Sequence, residues 1–237
     1  VEGKQVIGYL CLYPVIELIT AFDMVPYRIF GDMDESITEA DKFLPSNCCS
    51  FLRSCLDLGM KGKYEFLTGT IFAHICEVGQ RIHQMWRIAV DMPFTHYIDT
   101  PHVVRPETFQ QHKDLLRELQ ESLENFTGKK LTKEKLNDAI KIHNQQRALV
   151  REMYDMKKQD PPPITGSETL QVLKAVMSLP IDEGNQLLEE VISEAKERTD
   201  GPEKKLTRML IWGPVVDYTG FPEMIESLDA NIVMDDT

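Results

Sequence analysis

The chain has no Walker-type G-x₄-G-K-S/T loop and no G-x-G-x-x-G, the two common devices that cradle a nucleotide phosphate. ATP hydrolysis and classical dinucleotide binding are therefore not expected of it. No apolar run approaches the roughly 18 residues of a membrane-spanning helix, and no secretory signal opens the sequence. Positive charge is scarce: 26 Lys and Arg stand against 38 Asp and Glu, for a formal net charge of −12. Such a surface disfavours broad binding to nucleic acid or to an anionic membrane. There is no C-x₂-C pair and no paired His spacing, which leaves a zinc-stabilised scaffold as a distant reading. The cysteines number 5, odd and irregularly spaced, which argues against a secreted disulfide framework. These absences predict a cytoplasmic protein. The start at Val1 and the stop at Asp235-Asp236-Thr237, directly after an apolar strand, read as part of a longer polypeptide.

What is present is globular. The chain has 237 residues, 42% hydrophobic and 27% charged, enough for one large domain or two modest ones. Val6 to Leu12 reads as a buried strand. Pro14 with Glu17, Leu18, Ala21 and Phe22 reads as a helix, and Pro26 to Phe30 as a second strand. A helix over Phe51 to Leu58 capped by Gly59, a strand over Tyr64 to Phe72 and a helix over Gln80 to Val90 complete an α/β pattern. After Pro106 the pattern turns helical. Leu116, Leu119, Leu123 and Phe126 recur at spacings of three and four, Gly128 ends that helix, and Thr132 caps the next. Pro161-Pro162-Pro163 forms a stiff break before helices over Ser167 to Ser178 and Asp182 to Arg198. Past Asp200-Gly201-Pro202, a strand, a helix and a strand begin a second α/β unit too small to cover both faces of a sheet. The expected division is an α/β lobe over 1–105, a helical segment over 106–200 and the start of a second α/β lobe over 201–237.

Cysteine carries the chemistry. Cys49 and Cys76 each sit at an expected loop-to-helix junction, where backbone N–H groups favour negative charge and suit a thiolate or an anionic cluster. Cys48 and Cys49 are adjacent, so at most one faces a given site. Cys55 falls on the inner face of a helix and reads as core. Soft thiolates point to iron–sulfur chemistry. Glu17, after a strand end and a Pro, and His74, two residues before Cys76, are candidates for a crevice; a solvated acid and a loop histidine are the plain alternatives. Asn144 and Arg147 read either as a phosphate grip or as a helical pair.

Three blocks occur in order: Gly8-Tyr9-Leu10-Cys11-x-Tyr13-Pro14-x₂-Glu17-Leu18, Leu44-Pro45-x₃-Cys49-Ser50-x₂-Arg53, and Cys76-Glu77-x-Gly79-Gln80-Arg81-x₄-Trp86. Together they resemble the signature of the benzoyl-CoA reductase/2-hydroxyacyl-CoA dehydratase family. The resemblance implies two flavodoxin-like lobes with an inserted helical segment, the second lobe incomplete here. It also implies a [4Fe–4S] cluster held by three cysteines, two of them matching Cys49 and Cys76. The third would follow an acidic pair like Asp235-Asp236, where this sequence stops. Tyr64 stands near the place of an extra double-cubane cysteine, which favours a single cubane with Cys11 as a nearby, non-ligating thiol. Glu17 and His74 would line the pocket of an acyl-CoA substrate. Implied partners are a homologous or identical subunit and a separate ATP-dependent iron–sulfur activator. The cluster would pass one electron to the thioester, leading to aromatic ring reduction, with radical elimination of water as the alternative. A structural partner subunit with a vestigial site is the non-catalytic alternative.

Overall fold

Val6-Ile7-Gly8-Tyr9 is apolar without alternation because both of its faces are covered, as in a strand inside a parallel sheet. It forms β1 (Val6–Tyr9), flanked by β2 (Val25–Arg28) and β3 (Gly69–Ala73), with β4 (Thr95–Ile98) beyond β3. All pairings are parallel and the order is β2-β1-β3-β4; Val6 faces Val25, Ile7 faces Gly69 and Thr70 faces Thr95. This sheet belongs to the first of two compact units, residues 1–140 and 141–237, and the computed structural model describes residues 3–236.

Four helices wrap the sheet: α1 (Ile16–Ala21), α2 (Ser50–Met60), α3 (Glu77–Ala89) and α4 (Pro106–Thr127). Leu18 and Ile19 of α1 and Leu119 and Leu123 of α4 pack with Ile7, Ile71 and Ile98. Leu52 and Leu56 of α2 and Ile82 and Trp86 of α3 pack with Val6, Val25 and Phe72. Successive strand residues point to opposite faces, so Val6 against Ile7 and Phe72 against Ile71 mark the two sides of one sheet. The chain leaves β1 toward one edge and returns to β3 on the other side of β1. The loops that follow β1 and β3 therefore part at the C-terminal ends of the strands, where an α/β sheet offers its crevice.

Three local expectations change. The strand expected over Tyr64 to Phe72 begins only at Gly69; Tyr64 lies buried in the preceding turn, its hydroxyl donating to the Phe30 carbonyl and its ring stacked on Trp86 at 6.1 Å. β4 was not foreseen. It is an edge strand, half-exposed over Thr95 to Tyr97, and so lacks a continuous apolar signal. Gly59 does not cap α2, which runs on to Met60 with Lys61 as its cap. A Cβ at Gly59 would stand 2.8 Å from the ring of Trp86, which is fully buried and cannot swing aside. Gly59→Ala is therefore expected to destabilise the unit. The helix-propensity gain of about 1 kcal/mol is outweighed by an overpacking cost of about 1–3 kcal/mol. A lowered urea midpoint at unchanged m-value is the readout.

The second unit is built from the last part of α5 (Lys133–Met156) with α6 (Gly166–Val176), α7 (Ile181–Glu197), β5 (Thr207–Trp212), α8 (Gly220–Glu226) and β6 (Ala230–Asp236). β5 and β6 form a parallel pair, Thr207 facing Ala230, and Met153, Met156, Val176, Leu188 and Ile192 form the core of the helices. Arg208 donates to the carbonyls of Gln159 (2.7 Å) and Lys157 (3.0 Å), satisfying groups that the end of α5 leaves open. The division at 140/141 groups the chain differently from boundaries at 105/106 and 200/201, because the apolar stripe of α4 is buried on the first sheet. Among the described residues no helix is long and apolar enough to cross a membrane.

Candidate active site

Two non-glycine residues in the loop after β1 adopt left-handed backbone, Cys11 at φ 62° and Tyr13 at φ 69°. That conformation costs roughly 1–2 kcal/mol per residue, and such strain gathers at functional sites. Arg28 Nη1, from β2, donates to the Cys11 carbonyl at 3.3 Å and braces the loop. Leu12 and Tyr13 are exposed, Tyr13 at 51%. Glu17 follows, half-buried in the first turn of α1. The Cys11 thiol is pushed up by burial; Arg28 and the Leu12 N–H oppose this, and the sulfurs of Cys76 and Cys49 add to it. Cys11 thus lies within electrostatic reach of both.

Cys49 is the N-cap of α2 and is exposed. The long loop that delivers it is held by a polar stripe on α2, at spacings that keep one helix face. Ser54 Oγ accepts from Asp32 N at 2.9 Å. Arg53, buried, donates to the Ser46 carbonyl at 3.2 Å and pairs with Asp41. Asp57 Oδ1 accepts the backbone N–H groups of Thr38, Glu39 and Ala40 at 2.8, 2.6 and 2.9 Å, while its Oδ2 pairs with Lys61 at 2.6 Å. Burial works against ionisation of Asp57, yet Lys61 and these three N–H groups hold its carboxyl below the ordinary value. Cys55, as expected, is core, with no exposed surface.

Cys76 is the N-cap of α3, and its Sγ accepts the Gly79 N–H at 3.3 Å. A Cβ on Gly79 would meet Ile75 at 2.6 Å, so the glycine in this block lets the loop close over the helix start. Glu77 and Arg81 form an exposed pair at 2.6 Å. Further into α3, His83 stacks on Tyr97 of β4 at 4.7 Å; burial first, then Arg87 and His96, push it down to about 4, which keeps it neutral.

His74 sits between β3 and Cys76. Its N–H donates to the Ile98 carbonyl at 2.8 Å, its Nδ1 meets Asp99 Oδ1 at 2.8 Å, and its carbonyl accepts from His102 Nε2 at 2.8 Å. The two imidazoles are 4.6 Å apart. Asp99 and His102 were missed by sequence reasoning, because both follow the unforeseen β4. An acid and a histidine just past a strand end, in Ile98-Asp99-Thr100-Pro101-His102, are the signal that locating β4 would have exposed. Cys76 and His74 thus share the loop after β3, Glu17 stands after the neighbouring β1, and Cys49 arrives from the loop after β2. In the second unit, Arg147 Nη1 donates to Asn144 Oδ1 at 3.0 Å, an ordinary pair along α5.

Among the described residues no group of three or more His, Cys, Asp or Glu side chains is placed to hold a metal ion. The chemistry of the donor set nevertheless fits a sulfur-ligated group: two exposed thiols each stand at a helix start on the same four-stranded unit.

A doubly covered parallel sheet with thiols at the helix starts beyond its strands defines a class of α/β protein, and sequence comparison narrows it. The family described as "2-hydroxyglutaryl-CoA dehydratase, D-component" matches residues 11–237, and the chain belongs to that family. It is 30% identical over 195 residues to a benzoyl-CoA reductase subunit of Thauera aromatica, covering 81% of this chain and 50% of that protein. It is 25% identical over 236 residues to the (R)-phenyllactyl-CoA dehydratase beta subunit of Clostridium sporogenes, covering 99% and 62%. To the beta subunit of (R)-2-hydroxyglutaryl-CoA dehydratase of Acidaminococcus fermentans it is 26% identical over 240 residues, covering 99% and 62%. The chain therefore spans between half and about three-fifths of the length of these relatives.

Proposed function

We propose that the chain belongs to the iron–sulfur subunit of an enzyme that delivers a low-potential electron to an acyl-CoA thioester, with benzoyl-CoA reductase-type ring reduction as the leading reaction. The observation that carries this reading is the placement of Cys49 and Cys76 at the helix starts of one parallel sheet in a chain of this family. In this reading the two thiolates are ligands of a [4Fe–4S] cluster. In the same reading the four-stranded sheet belongs to one flavodoxin-like lobe and the β5–β6 pair to a second, with helices between them. When bound, the cluster supplies an electron donor of very low potential. The starts of α2 and α3 direct backbone N–H groups toward the anionic centre and stabilise it. Glu17 and His74 line the thioester pocket and handle its protons, while Leu12 and Tyr13, exposed in the loop after β1, offer apolar surface to the acyl group. A partner subunit completes the assembly, in keeping with relatives that are named as subunits; in this reading a separate ATP-dependent iron–sulfur activator provides the electron.

The second reading is a 2-hydroxyacyl-CoA dehydratase, in which radical chemistry expels water. It is favoured by the family's description and by two relatives named as dehydratase beta subunits. Full-length protein purified anaerobically with its partner subunit distinguishes these. Iron, sulfide and broad visible absorption are expected, and their absence sinks both readings in favour of a vestigial partner. Reduction of an aromatic acyl-CoA selects the first, loss of water from a 2-hydroxyacyl-CoA the second. Glu17→Gln is expected to retain iron and sulfide but to lose about 100-fold in kcat, the scale of a lost general acid or base. Normal turnover by that variant removes Glu17 from the mechanism.

A further inference from the structure

His74 and Asp99 come from loops 25 positions apart that sheet order brings together, since β3 and β4 are neighbours. Three contacts fix the histidine: its N–H on the Ile98 carbonyl, its carbonyl under His102 Nε2, and its Nδ1 on Asp99 Oδ1 at 2.8 Å. A carboxylate accepts only, so the ring nitrogen facing it carries the proton. The other nitrogen, Nε2, has no hydrogen-bond partner among the described residues, and the His74 side chain is 30% exposed. The first two contacts fix the backbone of the loop, and Asp99 makes the one hydrogen bond to the ring among the described residues.

We propose that Asp99 is the positioning residue for His74: its Oδ1, 2.8 Å from Nδ1, fixes the ring's orientation and keeps a proton on Nδ1, leaving Nε2 as the ring nitrogen available to the proposed acyl-thioester pocket. The proposal rests on the reading of His74 given above and deepens it by naming the residue that orients the ring. The mechanism is that of an orienting carboxylate behind a working histidine. His102 braces the same loop through the His74 carbonyl and the ring contact at 4.6 Å.

The test uses the full-length polypeptide labelled with ¹⁵N at histidine and kept free of iron, at a pH where His74 is neutral. The expected result is nitrogen shifts of the Nδ1–H tautomer for His74. In Asp99→Ala the acceptor is gone, so the preference for the Nδ1–H tautomer is expected to be lost, whereas Asp99→Glu keeps a carboxylate and is expected to retain it. A wild-type ring protonated only at Nε2 overturns the proposal even if the Ala variant does not fold, and so does a tautomer indifferent to Asp99→Ala. Turnover of the assembled enzyme separates this from the underlying reading. A loss of about tenfold or more in kcat with little change in KM is expected for Asp99→Ala. If His74→Ala turns over normally while the tautomer follows Asp99, the catalytic reading fails and the positioning stands. If His74→Ala is inactive while the tautomer ignores Asp99, the positioning fails and the catalytic reading stands.

Discussion

Cys76→Ala and Cys49→Ala are each expected to strip the cluster from the assembled protein and to leave no measurable turnover. Each change removes one of the two sulfur ligands proposed for this chain, and an alanine offers no donor in its place. The effect is not a by-product of unfolding, because both thiols are exposed N-caps rather than core. Cys76 contributes one further contact, its Sγ accepting the Gly79 N–H at 3.3 Å; its loss leaves an exposed helix start that water can satisfy. Folding should therefore be near wild type by far-UV circular dichroism while iron and sulfide fall away. Cys55→Ala is the control: that sulfur is sealed inside the core, so iron content should persist while stability drops. Full iron and sulfide in either the Cys49 or the Cys76 variant would remove that residue as a ligand.

Asp57→Ala is expected to cost about 1–3 kcal/mol, the scale of leaving buried hydrogen-bond donors without their acceptor. The carboxylate is the common acceptor for three consecutive backbone N–H groups and the partner of Lys61, and only 2% of its side chain is exposed. Alanine would leave those donors without an acceptor, and the loop that carries Cys49 would loosen with them. Because the folded-state pKa lies below the ordinary carboxyl value of 3.8, the stabilisation is complete above that value and is lost as pH falls through the lower folded value. Urea titrations should show a gap between wild type and variant that is constant at neutral pH and closes in acid. A gap that stays constant well below pH 3.8 would show that the ionised carboxylate is not what stabilises the loop.

Much of the fold was legible from single residues. Gly128 does stop α4, at φ 69° in left-handed conformation, and Thr132 does cap α5, its Oγ1 accepting from Lys135 N at 3.2 Å. Cys49 and Cys76 do stand at helix starts, since both precede amphipathic runs whose apolar stripes must reach the sheet. The loop-holding role of α2 was hidden. Arg53, Ser54 and Asp57 look like an ordinary solvated face until the loop folds over them, and only their partners at Ser46, Asp32 and Thr38–Ala40 explain why they are buried.

The sequence by itself determined what depends on neighbours along the chain: helix periodicity, caps, turns, and the junctions that present the thiols. These follow from backbone geometry and from apolar spacing over a few residues. Only the tertiary structure decided what depends on residues distant in sequence. β4 is a strand because β3 offers it a hydrogen-bonding edge, not because Thr95-His96-Tyr97-Ile98 is strongly apolar. Gly59 is a glycine for the sake of Trp86, 27 positions later. Asp99 meets His74 because strand order, β2-β1-β3-β4, places the ends of β3 and β4 side by side. Strand pairing and ring packing are settled by the burial of the whole sheet, and no local window of sequence contains that information.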